Sequence, residues 1–220
     1  MFGATYTATA ALPYSMLDVS GSAQLPGGST RRIANSVSGC GDLTPIRLML
    51  GWNNADSPSQ FSALLPIYAP TGSHELGRLG MNQLTFDPIF GLACNNAQNG
   101  FNAVLDTELA INTANPDTDY RSGNIVHCEG SVQQILPVGQ GLLTLGLEGF
   151  YFRQTTCDSG ADATLGCFKG RTAGLGPALG YILPLSKTET LLLEAKWLAE
   201  LEVDNRMKGD FIWIKAVYKF

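Results

Sequence analysis

The stretch "FIWIKAVYKF", Phe211 to Phe220, closes the chain on a two-residue alternation. Ile212, Ile214, Ala216, Tyr218 and Phe220 stand on one side, with Lys215 and Lys219 on the other. Period two is the signature of a β-strand, whose successive side chains point to opposite faces. The pattern recurs along the chain, with turn signals roughly every 15 to 25 residues, and no segment shows a helical period. This repeated alternation restricts the chain to an all-β architecture.

About ten strands are expected. The first runs from about Gly3 to Leu25, with a kink at Pro13, and the second from Asp42 to Trp52. The third covers Gln60–Tyr68 and the fourth Gln83–Ala93, the latter with Leu84, Phe86, Phe90 and Leu92 on one face. The fifth, Phe101–Asn112, sets Leu105 and Leu109 against Asp106 and Glu108. The sixth, Gly123–Leu136, sets Val126, Cys128 and Val132 against His127, Glu129 and Gln133. The seventh is Gly141–Gln154 and the eighth Thr172–Ile182. The ninth, Thr190–Val203, groups Leu191, Trp197, Leu201 and Val203 opposite Glu194, Lys196, Glu200 and Glu202. The tenth is the C-terminal strand.

The connections alternate in length. Those after even strands are short, such as "PVGQ" and "PLSKTE". Those after odd strands are longer: the Gly27–Gly41 stretch, "APTGSHELGRLGMN", "TANPDTDYRS", "TTCDSGADATLGCFKG" and "DNRMKGD". Short turns at one end and long loops at the other describe an antiparallel up-and-down transmembrane β-barrel. A half-buried sandwich strand also alternates, but its solvent face is rich in Lys and Glu. Here charged residues are only 15% of the chain, against about 25% in ordinary soluble domains. Trp52, Phe61, Phe101, Tyr151, Tyr181, Tyr218 and Phe220 stand near strand ends, where interfacial girdles lie. A helical membrane protein is excluded, because no run of about 20 apolar residues is present.

A net charge of −5 and the absence of clustered Lys and Arg argue against a nucleic-acid partner. The start of the chain has neither a basic region nor an unbroken apolar run, so it does not read as a signal peptide. No motif for a cofactor is found. Of the five cysteines, Cys157 and Cys167 flank the polar loop "DSGADATLG". They read either as a disulfide, in an oxidising compartment, or as two free thiols.

If the apolar faces meet lipid, the polar faces line an interior. The residues expected there are Arg47, Asp87, Asp106, Glu108, His127, Glu129, Glu148, Glu194, Lys196 and Lys215. Such charges serve either as a pore lining or as ion pairs across the wall. Glu194, Lys196 and Lys215 fall on adjacent strands and are placed to pair. Glu148 is expected to face Lys196 or Lys215. An enzyme is the less favoured class: there are two histidines, His74 beside Ser73 and His127 near Glu129, and no Gly-x-Ser-x-Gly elbow. The acids of "NPDTDYRSGN" lack EF-hand spacing and read as a hydrogen-bonded loop rather than a calcium site. A soluble barrel for an apolar ligand would need its apolar faces turned inward.

Four stretches resemble one family, the outer-membrane proteins grouped under phenol meta-pathway degradation. They are Tyr68–Leu92, Ile111–Asn124, Asp158–Pro177 and Glu194–Lys215. The similarity runs from about Gly41 to the end. It implies a bacterial outer-membrane barrel of twelve strands, linked to uptake of small hydrophobic or aromatic compounds. Members of the family begin with a signal peptide and two further strands, so the chain is expected to be one barrel domain, 1–220, shortened at its N-terminus. The terminal Phe220 resembles the signal that such barrels present to their assembly machinery. The expected partners are thus outer-membrane lipid, a small apolar or aromatic solute and that machinery.

Overall fold

The computed structural model describes residues 4–12, 14–24, 30–40, 42–53, 57–71, 82–164 and 166–220. Every helix or strand among them is a strand: β1 (Thr5–Ala11), β2 (Tyr14–Gln24), β3 (Thr30–Cys40), β4 (Leu43–Asn53), β5 (Ser59–Ala69), β6 (Thr85–Phe86), β7 (Ile89–Asn96), β8 (Phe101–Asn112), β9 (Ile125–Val138), β10 (Gly141–Gln154), β11 (Arg171–Pro184), β12 (Thr190–Asp204) and β13 (Asp210–Lys219). Eleven of them form one antiparallel sheet, in the order β1-β4-β5-β6/β7-β8-β9-β10-β11-β12-β13. Among the described residues β2 and β3 pair only with each other, as a separate hairpin that falls between β1 and β4 in the chain. Among the described residues β1 and β13 each have a single neighbour and form the two edges.

From β4 onward, with β6 and β7 counted as one interrupted strand, strands consecutive in sequence are neighbours in the sheet, which is the up-and-down order. β8 to β12 are 12 to 15 residues long, enough for the roughly 9–11 residues that a tilted strand needs to cross a bilayer. No helix among the described residues is long and apolar enough to cross one.

Three expectations are corrected. The first strand is two strands, β1 and β2, separated at Leu12–Pro13; Pro13 itself lies outside the described residues. The stretch from Gly27 to Gly41 is not a loop, because most of it forms β3. The strand read over Gln83–Ala93 is interrupted at Asp87–Pro88, where proline supplies no N–H to the ladder. Its register survives the break: Phe86 opposes Ile67 and Ile89 opposes Leu64, three residues on in each strand.

A β-bulge at the other end of the sheet has a larger effect. Between Ala173 and Gly174 the register of β11 on β12 shifts by one residue. A slip of one residue exchanges the two faces of a strand. Ala173 opposes Glu202, and Gly174 opposes Glu200. Below the bulge Glu200, Leu198, Lys196 and Glu194 share the inward face. Above it Glu202 and Asp204 share the outward face with Arg171. Glu202 therefore stands opposite to the side its alternation indicates, and Val203 exchanges with it.

The side chains are distributed inside out relative to a water-soluble sheet. Leu92, Leu105, Val132, Leu147, Leu175, Leu193 and Ile212 are all exposed, with Leu147 at 55%. The residues most withdrawn from solvent include Thr172 at 1%, Glu200 at 3%, Asn112 at 5% and Asp87 at 6%. Among the described residues only Ala178 and Leu198 are buried hydrophobics. Soluble proteins rarely expose a continuous apolar band of this kind; a surface facing lipid does.

Candidate functional site

The polar, inward face is assembled from matching positions on neighbouring strands. Asp106 stands opposite Glu129, and Glu108 opposite His127. Glu129 stands opposite Phe150, His127 opposite Phe152, and Phe150 opposite Gly174. Glu194 stands opposite Lys215, and Lys196 opposite Trp213. The sequence-derived residues thus fall on one face from β6 to β13. Arg47 stands opposite Pro66 by backbone register, and its side chain lies outside the described residues. Ser73 and His74 also lie outside them.

These residues divide into two groups. On β10 to β13 the charges are paired. Lys196 Nζ donates to Glu148, with the two side chains only 19% and 13% exposed. The pair reaches across β11, where Glu148 stands opposite Gly176 and Lys196 opposite Ala178. A Cβ added at Gly176 would meet the backbone oxygen of Trp197 at 1.7 Å. Lys215 reaches Glu194 at 3.5 Å. Glu200 accepts from Thr172 Oγ1 at 3.0 Å and from the Gly209 N–H at 2.6 Å, with Arg206 at 3.7 Å. A buried carboxylate is tolerated only with such partners.

On β6 to β9 the inward face is acidic. His127 Nδ1 meets Glu108, and its Nε2 lies 3.7 Å from Glu129 Oε1. Asp106 lies over Gly91, whose added Cβ would stand 2.5 Å from Asp106 Oδ1. Asp87 is buried, and its Oδ1 has no hydrogen-bond partner. Among the described residues no group of three or more His, Cys, Asp and Glu is arranged to hold a metal.

Aromatic rings that the sequence reading did not single out join the two groups. Phe150 packs edge-on to Phe211, with centroids 5.4 Å apart. Lys196 Nζ lies 5.9 Å from the Trp213 centroid, and the Arg206 guanidinium 5.1 Å from that of Phe152. Phe150 packs over Gly174, where an added Cβ would stand 2.3 Å from the ring. Together they line a recess of about 550 Å³ that also includes His127, Glu129, Thr172 and Lys215. The signal was available: Phe150 and Phe152 share the parity of Glu148, and Phe211 and Trp213 that of Lys215.

The loops that follow β8 and β10 are tied to one another. Arg121 and Ser159 exchange backbone hydrogen bonds of 2.8 and 3.0 Å. Asp158 accepts from Tyr120 Oη at 2.6 Å, from the Gly123 N–H at 2.9 Å and from Gln154 Nε2 at 2.7 Å. Burial, followed by the bond to Asp158, holds the Tyr120 phenol above its usual range. Gly160 has φ 97°, and a Cβ there would stand 1.5 Å from the Asp119 carbonyl oxygen. Cys157 and Cys167 form a disulfide with Cα atoms 4.9 Å apart. Within "NPDTDYRSGN", Asp117 accepts from Asn82 Nδ2 and Asp119 from the Ala161 N–H, so the two acids serve separate bonds.

This architecture is similar to that of a solved outer membrane channel from Pseudomonas putida F1. The match has a TM-score of 0.62 and 15% identity, over 96% of this chain and 84% of that one. No curated protein matches the sequence. With the family's sequence pattern matching residues 1–216, the chain belongs to the family described as "Putative MetA-pathway of phenol degradation".

Proposed function

We propose that the chain is the wall of a bacterial outer-membrane channel. Small hydrophobic or aromatic molecules diffuse through it passively, without cofactor or catalysis. The observation that carries this reading is the pairing of opposites on one sheet. The outward face is an exposed apolar band suited to lipid, while the inward face holds a recess lined by rings and charges. Phe150, Phe211 and Trp213 offer stacking surfaces to a planar solute. Glu129, His127 and Lys196 offer polar partners at the margins of the same recess. The family's description and the channel of similar fold support the reading.

In this reading Arg47, Asp87, Asp106, Glu108, His127, Glu129, Glu148, Glu194, Lys196 and Lys215 line the passage. Those already paired set its shape more than its selectivity. Uptake of radiolabelled phenol-type compounds into liposomes carrying the folded protein tests the proposal. Saturable flux that favours aromatics, and falls in Trp213→Ala and Phe150→Ala, is the expected result. No flux above protein-free liposomes, from a correctly folded barrel, would replace it with a structural or ligand-binding role.

A further inference from the structure

We propose that Arg153 and Arg171, side by side on the outer wall at the long-loop end, hold the phosphate of a lipid headgroup. The proposal rests on the reading that this face meets an outer membrane with the long loops outward.

Arg153 ends the outward row of β10, above Leu143, Leu145, Leu147 and Tyr151. Arg171 begins the outward row of β11, above Leu175 and Leu179. The two are directly opposite in the register. Like charges placed so repel each other, and the sheet offers compensation on one side only. The Arg171 guanidinium donates to Asp204 Oδ2 from Nε at 2.9 Å and from Nη2 at 2.6 Å, and to Glu202 Oε1 at 2.6 Å. Both acids reach the outer wall because of the bulge at Ala173/Gly174. Arg153 is exposed, and its other cross-strand neighbour is Val126. Lys169, also exposed, lies two residues before Arg171 in the chain. With Arg153, Arg171 and Lys169 against Glu202 and Asp204, the patch keeps one net positive charge.

Its height decides the partner. From Leu143 to Tyr151 the outward residues of β10 rise about 27 Å along the strand, or roughly 21 Å along the normal at the usual tilt. That approaches the apolar band of about 25 Å expected of an outer-membrane barrel. The arginines therefore stand where headgroups begin. The Arg153 guanidinium and the Nη1 of Arg171, with a tyrosine below them, suit a phosphate monoester on an acyl-bearing lipid: N–H donors for the oxygens and an apolar wall for the chains.

Native mass spectrometry of the detergent-solubilised protein tests this, with dioleoylphosphatidic acid as the probe. Dioleoylglycerol and inorganic phosphate are the controls. The protein is expected to retain phosphatidic acid in preference to dioleoylglycerol. Arg153→Gln and Arg171→Gln should each weaken retention roughly tenfold. Arg153→Lys should fall between, and Lys208→Gln, in another loop, should have no effect. Heat-modifiable gel mobility verifies that each variant is folded; if Arg153→Gln is not, the comparison rests on Arg153→Lys. Equal retention of the two lipids, or full retention by the folded variants, would overturn the proposal while leaving the membrane reading intact. Displacement of the lipid by equimolar inorganic phosphate would overturn the lipid assignment. A monodisperse protein without detergent would instead remove the membrane reading.

Discussion

The inward faces of β10–β13 and of β6–β9 carry similar numbers of carboxylates in different electrostatic settings. In the first, Glu148, Glu194 and Glu200 each have a cation within ion-pair distance: Lys196, Lys215 and Arg206. In the second, Asp87, Asp106, Glu108 and Glu129 stand near one another, and the ion-pair partner among the described residues is His127. The contrast separates charge that holds a wall together from charge that strains it. A barrel interior needs polarity to admit water, but only paired polarity stabilises it.

That contrast predicts effects of opposite sign. The largest is expected at Lys196→Met, which leaves Glu148 mostly buried and unpaired. It should cost about 3 kcal/mol in urea unfolding of the barrel in lipid vesicles. The double variant Glu148→Leu/Lys196→Met should recover most of the loss, and a simple sum of the single effects would show that the pair is not coupled. Next, Gly176→Ala should cost about 1–3 kcal/mol, because its methyl meets the Trp197 carbonyl rather than a yielding side chain. In the acidic region the sign reverses. Glu129→Gln relieves the carboxylate directly opposite at Asp106 and should stabilise by about 0.2–1 kcal/mol. Loss of stability there would break the comparison.

The smallest effect is a pH dependence at the short-turn end. The Tyr218 hydroxyl, 2.5 Å from Glu189, and then Ser186 hold the Glu189 carboxyl below its usual range. Its folded pKa is depressed, so its contribution is fully present above the unfolded value. It is lost as pH falls through the folded one. Tyr218→Phe should lower stability slightly at neutral pH and flatten that acid-side slope, the two proteins converging at low pH, as acid titration of the unfolding midpoint would show.

Much of this was legible in the sequence because lipid and lumen impose a strict parity. Asp106, Glu108, His127, Glu129, Glu148 and Lys196 could be assigned to one face by counting in twos. The limits of β8, β10 and β12 likewise follow from uninterrupted alternation between turn residues. Parity fails where register does. Nothing local marks the bulge at Ala173/Gly174, since both strands keep alternating through it; only their pairing shows that Glu202 and Val203 have changed sides. β3 was missed because "TRRIANSVSGC" mixes small and polar residues, and its strand character comes from pairing with β2. The choice of Lys196 rather than Lys215 for Glu148 depends on how the side chains reach across β11, which sequence spacing does not specify.

The tied loops have a consequence for rates. Arg121 and Ser159 are joined by backbone, Asp158 gathers three donors, and a covalent link closes the loop beyond it. In the channel proposed above, loops braced in this way would hold the mouth to one width during a single passage. Solutes would then be sorted as by a sieve, on width at the mouth, before any chemistry inside is consulted. Permeability through such a channel should fall steeply with molecular diameter.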